Sequence, residues 1–137
     1  MKNYRVWDSV TEIMYYPEDF KLVIDHGEPE LHLQRKLGVV VAKENDIGKS
    51  AYLMQSTGLK DKNGVEIYEG DIVRWKKEFI SPMDMRTKHK IDGNRKVYQK
   101  ESGEWVMGQG NGLHSEVENI EVIGNIYENP ELIKEAQ

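Results

Sequence analysis

Short apolar runs separated by turn-forming residues dominate the chain, and their spacing is that of strands rather than helices. Tyr4-Arg5-Val6-Trp7 and Ile13-Met14-Tyr15-Tyr16, closed by Asp8-Ser9 and by Pro17, predict a hairpin. Phe20-Lys21-Leu22-Val23-Ile24 predicts a third strand, stopped at Asp25-His26-Gly27 where glycine and short polar side chains favour a turn. Over Pro29 to Leu37 two signals compete. Leu31 and Leu33 alternate as in a strand, whereas Pro29, Glu30 and Gly38 resemble helix punctuation; the alternation is the preferred reading. Val39-Val40-Val41-Ala42 predicts a buried strand, and Lys43 to Ser50, with little to bury, an exposed and mobile loop.

The second half continues in the same style. Asn63-Gly64 is a strong tight-turn signal, because both residues tolerate the positive φ of primed hairpin turns. Glu69-Gly70-Asp71 predicts another bend, followed by a strand in which Val73 and Trp75 face the core and Ile72 and Arg74 share the other face. Phe79 to Asn94 holds few apolar residues and a proline at 82, so it is expected to form a long exposed excursion. Val97 to Met107 predicts a hairpin turning at Ser102-Gly103, and Gly108 to Gly112 a flexible loop. Ile120 to Tyr127 predicts a closing strand with Gly124 at a bulge or close approach. Asn129-Pro130-Glu131, a capping residue, a proline at the first helical position and an acid, predicts a short C-terminal helix. The fold class is therefore mainly β, a β-rich α+β arrangement.

Composition narrows the chemistry. With 137 residues, 38% hydrophobic and 31% charged, the chain has enough apolar material for a modest core and too much for a wholly disordered one. Its apolar stretches, around Val6, Leu22, Val39 and Val122, fall well short of the roughly 18 residues of a membrane helix. The start, Met1-Lys2-Asn3-Tyr4-Arg5, lacks the apolar region of a secretory signal, so a cytoplasmic location and no membrane partner are expected. The absence of cysteine excludes disulfides, thiolate metal sites and cysteine nucleophiles.

Three segments together resemble the YopX proteins of phages and prophages. They are Tyr4-Arg5-Val6-Trp7-Asp8, the block from Leu53-Met54-Gln55-Ser56-Thr57-Gly58-Leu59-Lys60-Asp61 through Lys62-Asn63-Gly64-Val65-Glu66-Ile67-Tyr68-Glu69-Gly70-Asp71-Ile72-Val73, and Glu121-Val122-Ile123-Gly124-Asn125-Ile126-Tyr127-Glu128-Asn129-Pro130-Glu131-Leu132. Order and spacing agree in all three. The resemblance implies a β-rich protein whose later part, from about residue 51, is a small SH3-type barrel; with the strand, helix and length readings above, an N-terminal β-rich subdomain over 1–50 and the barrel with its C-terminal helix over 51–137 are expected to pack as one compact unit. It also implies a phage or prophage origin. It supplies no catalytic or binding residues.

The residues themselves show no catalytic signature. His26, His32, His89 and His114 have no metal-ligand spacing, and no nucleophile elbow, phosphate-cradling loop or dinucleotide fingerprint occurs, so no metal, cofactor or catalytic residue is expected. The three glycines between Gly58 and Gly70 are read as turn formers, with Asp61 or Asp71 bonding a nearby backbone N–H. Charge supplies the one local anomaly. Arg74 to Lys100 carries nine basic residues and three acidic ones, a net of plus 6, so the rest of a chain whose total is minus 5 carries minus 11. Arg74, Trp75, Lys76, Lys77, Arg95, Lys96 and Tyr98 interleave cations with aromatics in a way that could stack bases and contact phosphates, although a solvated hairpin with its aromatics in the core is the preferred explanation of the pattern. Two functions are carried forward: a non-enzymatic module that binds a phage or host protein, and a nucleic-acid-binding accessory protein using residues 74–100. Self-association through uncovered strand edges is a further expectation.

Overall fold

The computed structural model describes residues 3–35, 38–43 and 46–133. Twelve strands and a few one- or two-turn 3-10 helices account for most of them, so the protein is mainly β, built from antiparallel sheets. The chain divides into two compact units, Met1–Ser56 and Thr57–Gln137, and the division falls inside one strand.

In the first unit, β1 (Tyr4–Asp8) pairs with β2 (Ile13–Tyr15) as the predicted hairpin, Trp7 opposite Met14. On its other side β1 pairs with the first half of β6 (Ala51–Lys60). The hairpin turn is tightened by Asp8, whose carboxylate accepts bonds from the Val10 amide at 3.0 Å and the Thr11 hydroxyl at 2.7 Å. β3 (Phe20–Asp25), β4 (Glu28–Arg35) and β5 (Gly38–Lys43) form an antiparallel meander. His26 and Gly27, with φ of 50° and 83°, make the two-residue primed turn between the first two. Glu28–Arg35 is thus a strand, as the Leu31/Leu33 alternation predicts. Both leucines are buried with Val6, Tyr15, Ala42 and Ala51. The segment after Lys43 departs from expectation in its described part. The Asp46 carboxylate accepts from the Lys43 amide, its backbone carbonyl accepts from the Lys49 and Ser50 amides, and Ile47 packs on the core, so the described part of this loop is a bonded turn with one apolar contact.

In the second unit the later half of β6 pairs with β7 (Glu66–Tyr68), and a five-stranded antiparallel sheet runs β11-β10-β9-β8-β12. These are β8 (Asp71–Ile80), β9 (Lys88–Gln99), β10 (Trp105–Met107), β11 (Asn111–Gly112) and β12 (Ile120–Asn125). Its core gathers Ile67, Val73, Trp75, Val97, Met107, Leu113 and Ile120. Val73, Val97 and Ile120 are completely buried, each contributing roughly 1.5–3 kcal/mol by removal from water. The predicted core face of β8 is therefore correct, and Trp75 belongs to it.

The Asn63-Gly64 turn has a different geometry from the primed one expected. Gly64 has φ of 81° but Asn63 is not left-handed; the Gly64 amide bonds the Asp61 carbonyl at 3.0 Å and the Asp61 amide the Val65 carbonyl at 2.9 Å. That is a three-residue loop with its single left-handed position at glycine. Asp61 decides it: Oδ1 accepts from the Asn63 and Val65 amides at 2.8 and 2.9 Å, and Oδ2 from Val122 of β12 at 2.8 Å. The Gly70 bend is held likewise, its amide on the Val97 carbonyl and Asp71 accepting from the Tyr68 amide at 2.7 Å. The bulge at Gly124 is where predicted, a register shift between Val122 and Gly124. The C-terminal helix begins at Pro130, but over the described residues it is a single 3-10 turn, Pro130–Leu132. Asn129 does not cap it, because its Oδ1 accepts from the Asn125 amide at 3.2 Å instead.

Candidate interaction surface

The expected loose excursion over Phe79–Asn94 is the main correction. β8 continues to Ile80 and β9 begins at Lys88, in unbroken register from Ile72 opposite Lys96 to Ile80 opposite Lys88. β12 accompanies β8 only as far as Trp75, and β10 accompanies β9 only from Val97. Residues beyond those points form a two-stranded arm. It was unreadable as strands because a ribbon wet on both faces has no reason to alternate apolar and polar residues.

The arm closes in a tight turn. Asp84 accepts from the Arg86 and Thr87 amides, each at 2.9 Å, and from the Thr87 hydroxyl, while the Ser81 amide bonds the Thr87 carbonyl at 2.7 Å. Those bonds, the Thr87 hydroxyl foremost, hold the Asp84 carboxyl down at about 2. Around the turn Phe79, Ile80, Met83 and Met85 are exposed, Met83 at 93% and Met85 at 74%. Exposed apolar side chains gathered near the end of a solvated ribbon mark a surface suited to interaction.

Alternation sorts the predicted surface residues onto two faces. Trp75, Lys77 and Phe79 share one, opposite Gly93, Ile91 and His89. Trp75 is only 6% exposed, with the Arg95 guanidinium 5.7 Å above its ring. Lys77 Nζ lies 5.9 Å from the Phe79 ring and pairs with Glu116 Oε1 at 2.5 Å. Phe79 and His89 stack at 5.2 Å. A groove of about 300 Å³ follows this face, with Phe79 and Ile91 on one wall and Ser115 and Glu116 on the other.

Arg74 and Lys76 lie on the opposite face of β8. Arg74 makes a two-pronged pair with Asp92, Nε to Oδ1 at 2.9 Å and Nη2 to Oδ2 at 3.0 Å. That hydrogen-bonded pairing raises the Arg74 pKa and lowers that of Asp92. Lys96 Nζ lies 5.9 Å from the Tyr98 ring. The seven residues therefore do not form one continuous stacking surface: Trp75 is core, Arg74 and Lys77 are held by carboxylates, Lys76 lies on the Arg74 face, and Arg95, Lys96 and Tyr98 line a second cleft. Sequence reasoning missed the apolar tip. The one local signal for it is the turn composition of Ser81-Pro82-Met83-Asp84.

Among the described residues no group of three or more His, Asp or Glu side chains could hold a metal ion, and no helix is long and apolar enough to cross a membrane. What the strands define is a small antiparallel β protein with a projecting hairpin. The chain belongs to the YopX protein family, whose model matches residues 3–134. It is similar to the crystal structure of protein EF1440 from Enterococcus faecalis, with a TM-score of 0.62 and 24% identity over 98% of this chain and 99% of that one. That likeness speaks for the fold. No curated protein matches the sequence.

Proposed function

We propose that this chain is a non-enzymatic accessory protein of a phage or prophage, working in the bacterial cytoplasm by docking a phage or host protein on the β8–β9 arm. The observation that carries the reading is the exposed apolar tip, Phe79, Ile80, Met83 and Met85, at the end of a hairpin whose own turn is well bonded. The unit behind it, with the SH3-type closure that the family resemblance implies, acts as the scaffold. A rigid ribbon pre-orders its contact residues and so lowers the entropy cost of association.

The alternative, nucleic acid bound along residues 74–100, has less support. Arg74, Lys77 and Lys90 pair with Asp92, Glu116 and Glu78, and Trp75 is not available for stacking. The test is quantitative capture from phage-infected cells with wild type and a Phe79→Ser/Met83→Ser double variant. A partner retained by wild type and lost by a variant of unchanged melting temperature supports the reading. A partner retained equally by both overturns the arm as the docking element.

A further inference from the structure

β9 leaves one backbone edge open along the arm. Val97 gives its carbonyl to the Gly70 amide on the β8 side, whereas Lys96 gives its own to the Gly108 amide on the β10 side, at 3.0 Å. Successive residues of a paired strand send their backbone groups to opposite sides, and the β8–β9 register runs unbroken from Lys96 to Lys88. Asn94, Asp92, Lys90 and Lys88 therefore present N–H and C=O groups on the Lys96 side. β10 pairs only with Val97–Gln99, and no other described strand pairs along that side. The Asn94 carbonyl also accepts from Arg95 Nη1 at 3.0 Å and keeps a second lone pair. Neither a proline nor a bulge blunts this edge.

The charges along it fit a second copy in one register. Pairing two such edges antiparallel about a two-fold axis through Ile91 sets each Lys90 opposite Asp92 of the other copy and each Lys88 opposite Asn94. Moving the axis to Lys90 sets lysine against lysine, and moving it to Asp92 sets aspartate against aspartate, each with one bonded pair fewer. Edge lysines ordinarily discourage strand pairing, and here they also reject the wrong registers. Arg74 fixes the Asp92 carboxylate with bonds of 2.9 and 3.0 Å, while Lys90 has only a loose 3.5 Å contact with Glu78, both side chains largely exposed. On the other face the half-buried Ile91 meets its own copy on the axis as a non-hydrogen-bonded pair, the kind whose side chains approach closest. Past Lys88 the turn of the second copy runs toward a cleft of about 550 Å³ where β10 leaves β9, bounded by Asn94, Lys96, Tyr98, Gly108 and Gln109, which gives it room.

We propose that the open edge of β9 is a self-pairing surface, where two copies of this chain join antiparallel about a two-fold axis at Ile91. The pairing does not rest on the docking reading: Phe79 and Ile80 sit on β8, across the ribbon from the joined edges, so either reading can fail without the other. The test is sedimentation velocity of the full chain from about 1 to 500 μM, over which the mass is expected to rise from one chain toward two. Lys90→Glu, at an exposed position outside the core, turns both opposite-charge contacts into like-charge ones and is expected to weaken the dimer about tenfold or more at unchanged melting temperature. Register is read separately. The chain has no cysteine, so Ile91→Cys and Lys88→Cys each carry a single thiol. Position 91 meets its own copy within disulfide reach, whereas the two copies of position 88 lie about 20 Å apart. Oxidation with diamide is expected to link Ile91→Cys into a covalent dimer and to leave Lys88→Cys mostly single. A single-chain mass throughout that range, a dimer as tight in Lys90→Glu as in wild type, or equal linking of the two cysteine variants overturns the pairing.

Discussion

Removing the Asp61 carboxylate should cost more than any other single change to a turn in this protein's second unit. The residue is 6% exposed, and its two oxygens accept three backbone N–H bonds, two inside the loop and one from Val122 on β12. Hydrogen bonds to a charged acceptor are worth about 1.5–3 kcal/mol each, but the three do not add. In Asp61→Ala the Asn63 and Val65 amides sit beside exposed residues and can recover water, whereas the Val122 amide lies within the sheet. A loss on the order of 3 kcal/mol follows, and at about 4–8 °C per kcal/mol for a unit of this size the melting temperature should fall by about 12–24 °C. Asp61→Asn is the discriminating control. Its single carbonyl oxygen can serve the loop or Val122 but not both, and its amide group then points a donor at a donor, so it should recover only part of the loss. Thermal and urea unfolding followed by near-ultraviolet circular dichroism reads both. An Asp61→Ala protein within about 0.5 kcal/mol of wild type would refute the clamp, since that is the range of featureless surface changes.

Three further outcomes test other parts of the structure. Gly64→Val should destabilise by about 1–2 kcal/mol in urea melts from the left-handed backbone alone, since φ is 81° and no atom lies within 4 Å of the added Cβ; Gly64→Asn should be milder. Gly124→Ala should displace Asn129, whose Oδ1 lies 2.5 Å from the new Cβ, and the Asn125 amide that it accepts should then exchange its hydrogen faster. Asp84 has a folded pKa lowered to about 2 from 3.8, so the bonds of the arm's turn are fully present above the ordinary value and lost as pH falls toward 2. The Thr87 amide resonance should titrate with a midpoint near 2, and a midpoint at the ordinary carboxylate value would contradict the turn geometry.

The legible parts of the fold were those where one face of a strand is wet and the other dry. Leu31 and Leu33 declared β4 against the helix punctuation around them, and Val73 and Trp75 declared the inward face of β8. Turn positions were legible where chemistry is local, as at His26-Gly27, Gly70 and Gly124. The turn type at Asn63-Gly64 was not, because it is settled by the buried Asp61 carboxylate, which bonds two amides of the loop and the Val122 amide, 61 residues away. The arm and both clefts were hidden for a related reason. Which cations keep a carboxylate partner depends on tertiary placement: register puts Asp92 diagonal to Arg74, and the 3-10 helix His114–Asn119 brings Glu116 to Lys77, while Arg95 has a ring and a carbonyl beside it.

The position of the arm separates two kinds of selection on one pair of strands. Up to Trp75 and from Val97 onward, β8 and β9 answer to neighbours on both sides and to the core. Between those points their partners are mostly each other, so residues there can be exchanged, and the ribbon lengthened or shortened two residues at a time to keep facing, with little cost to the scaffold. Relatives that share the scaffold could therefore diverge fastest in arm length and tip composition, retargeting the contact surface without refolding the protein.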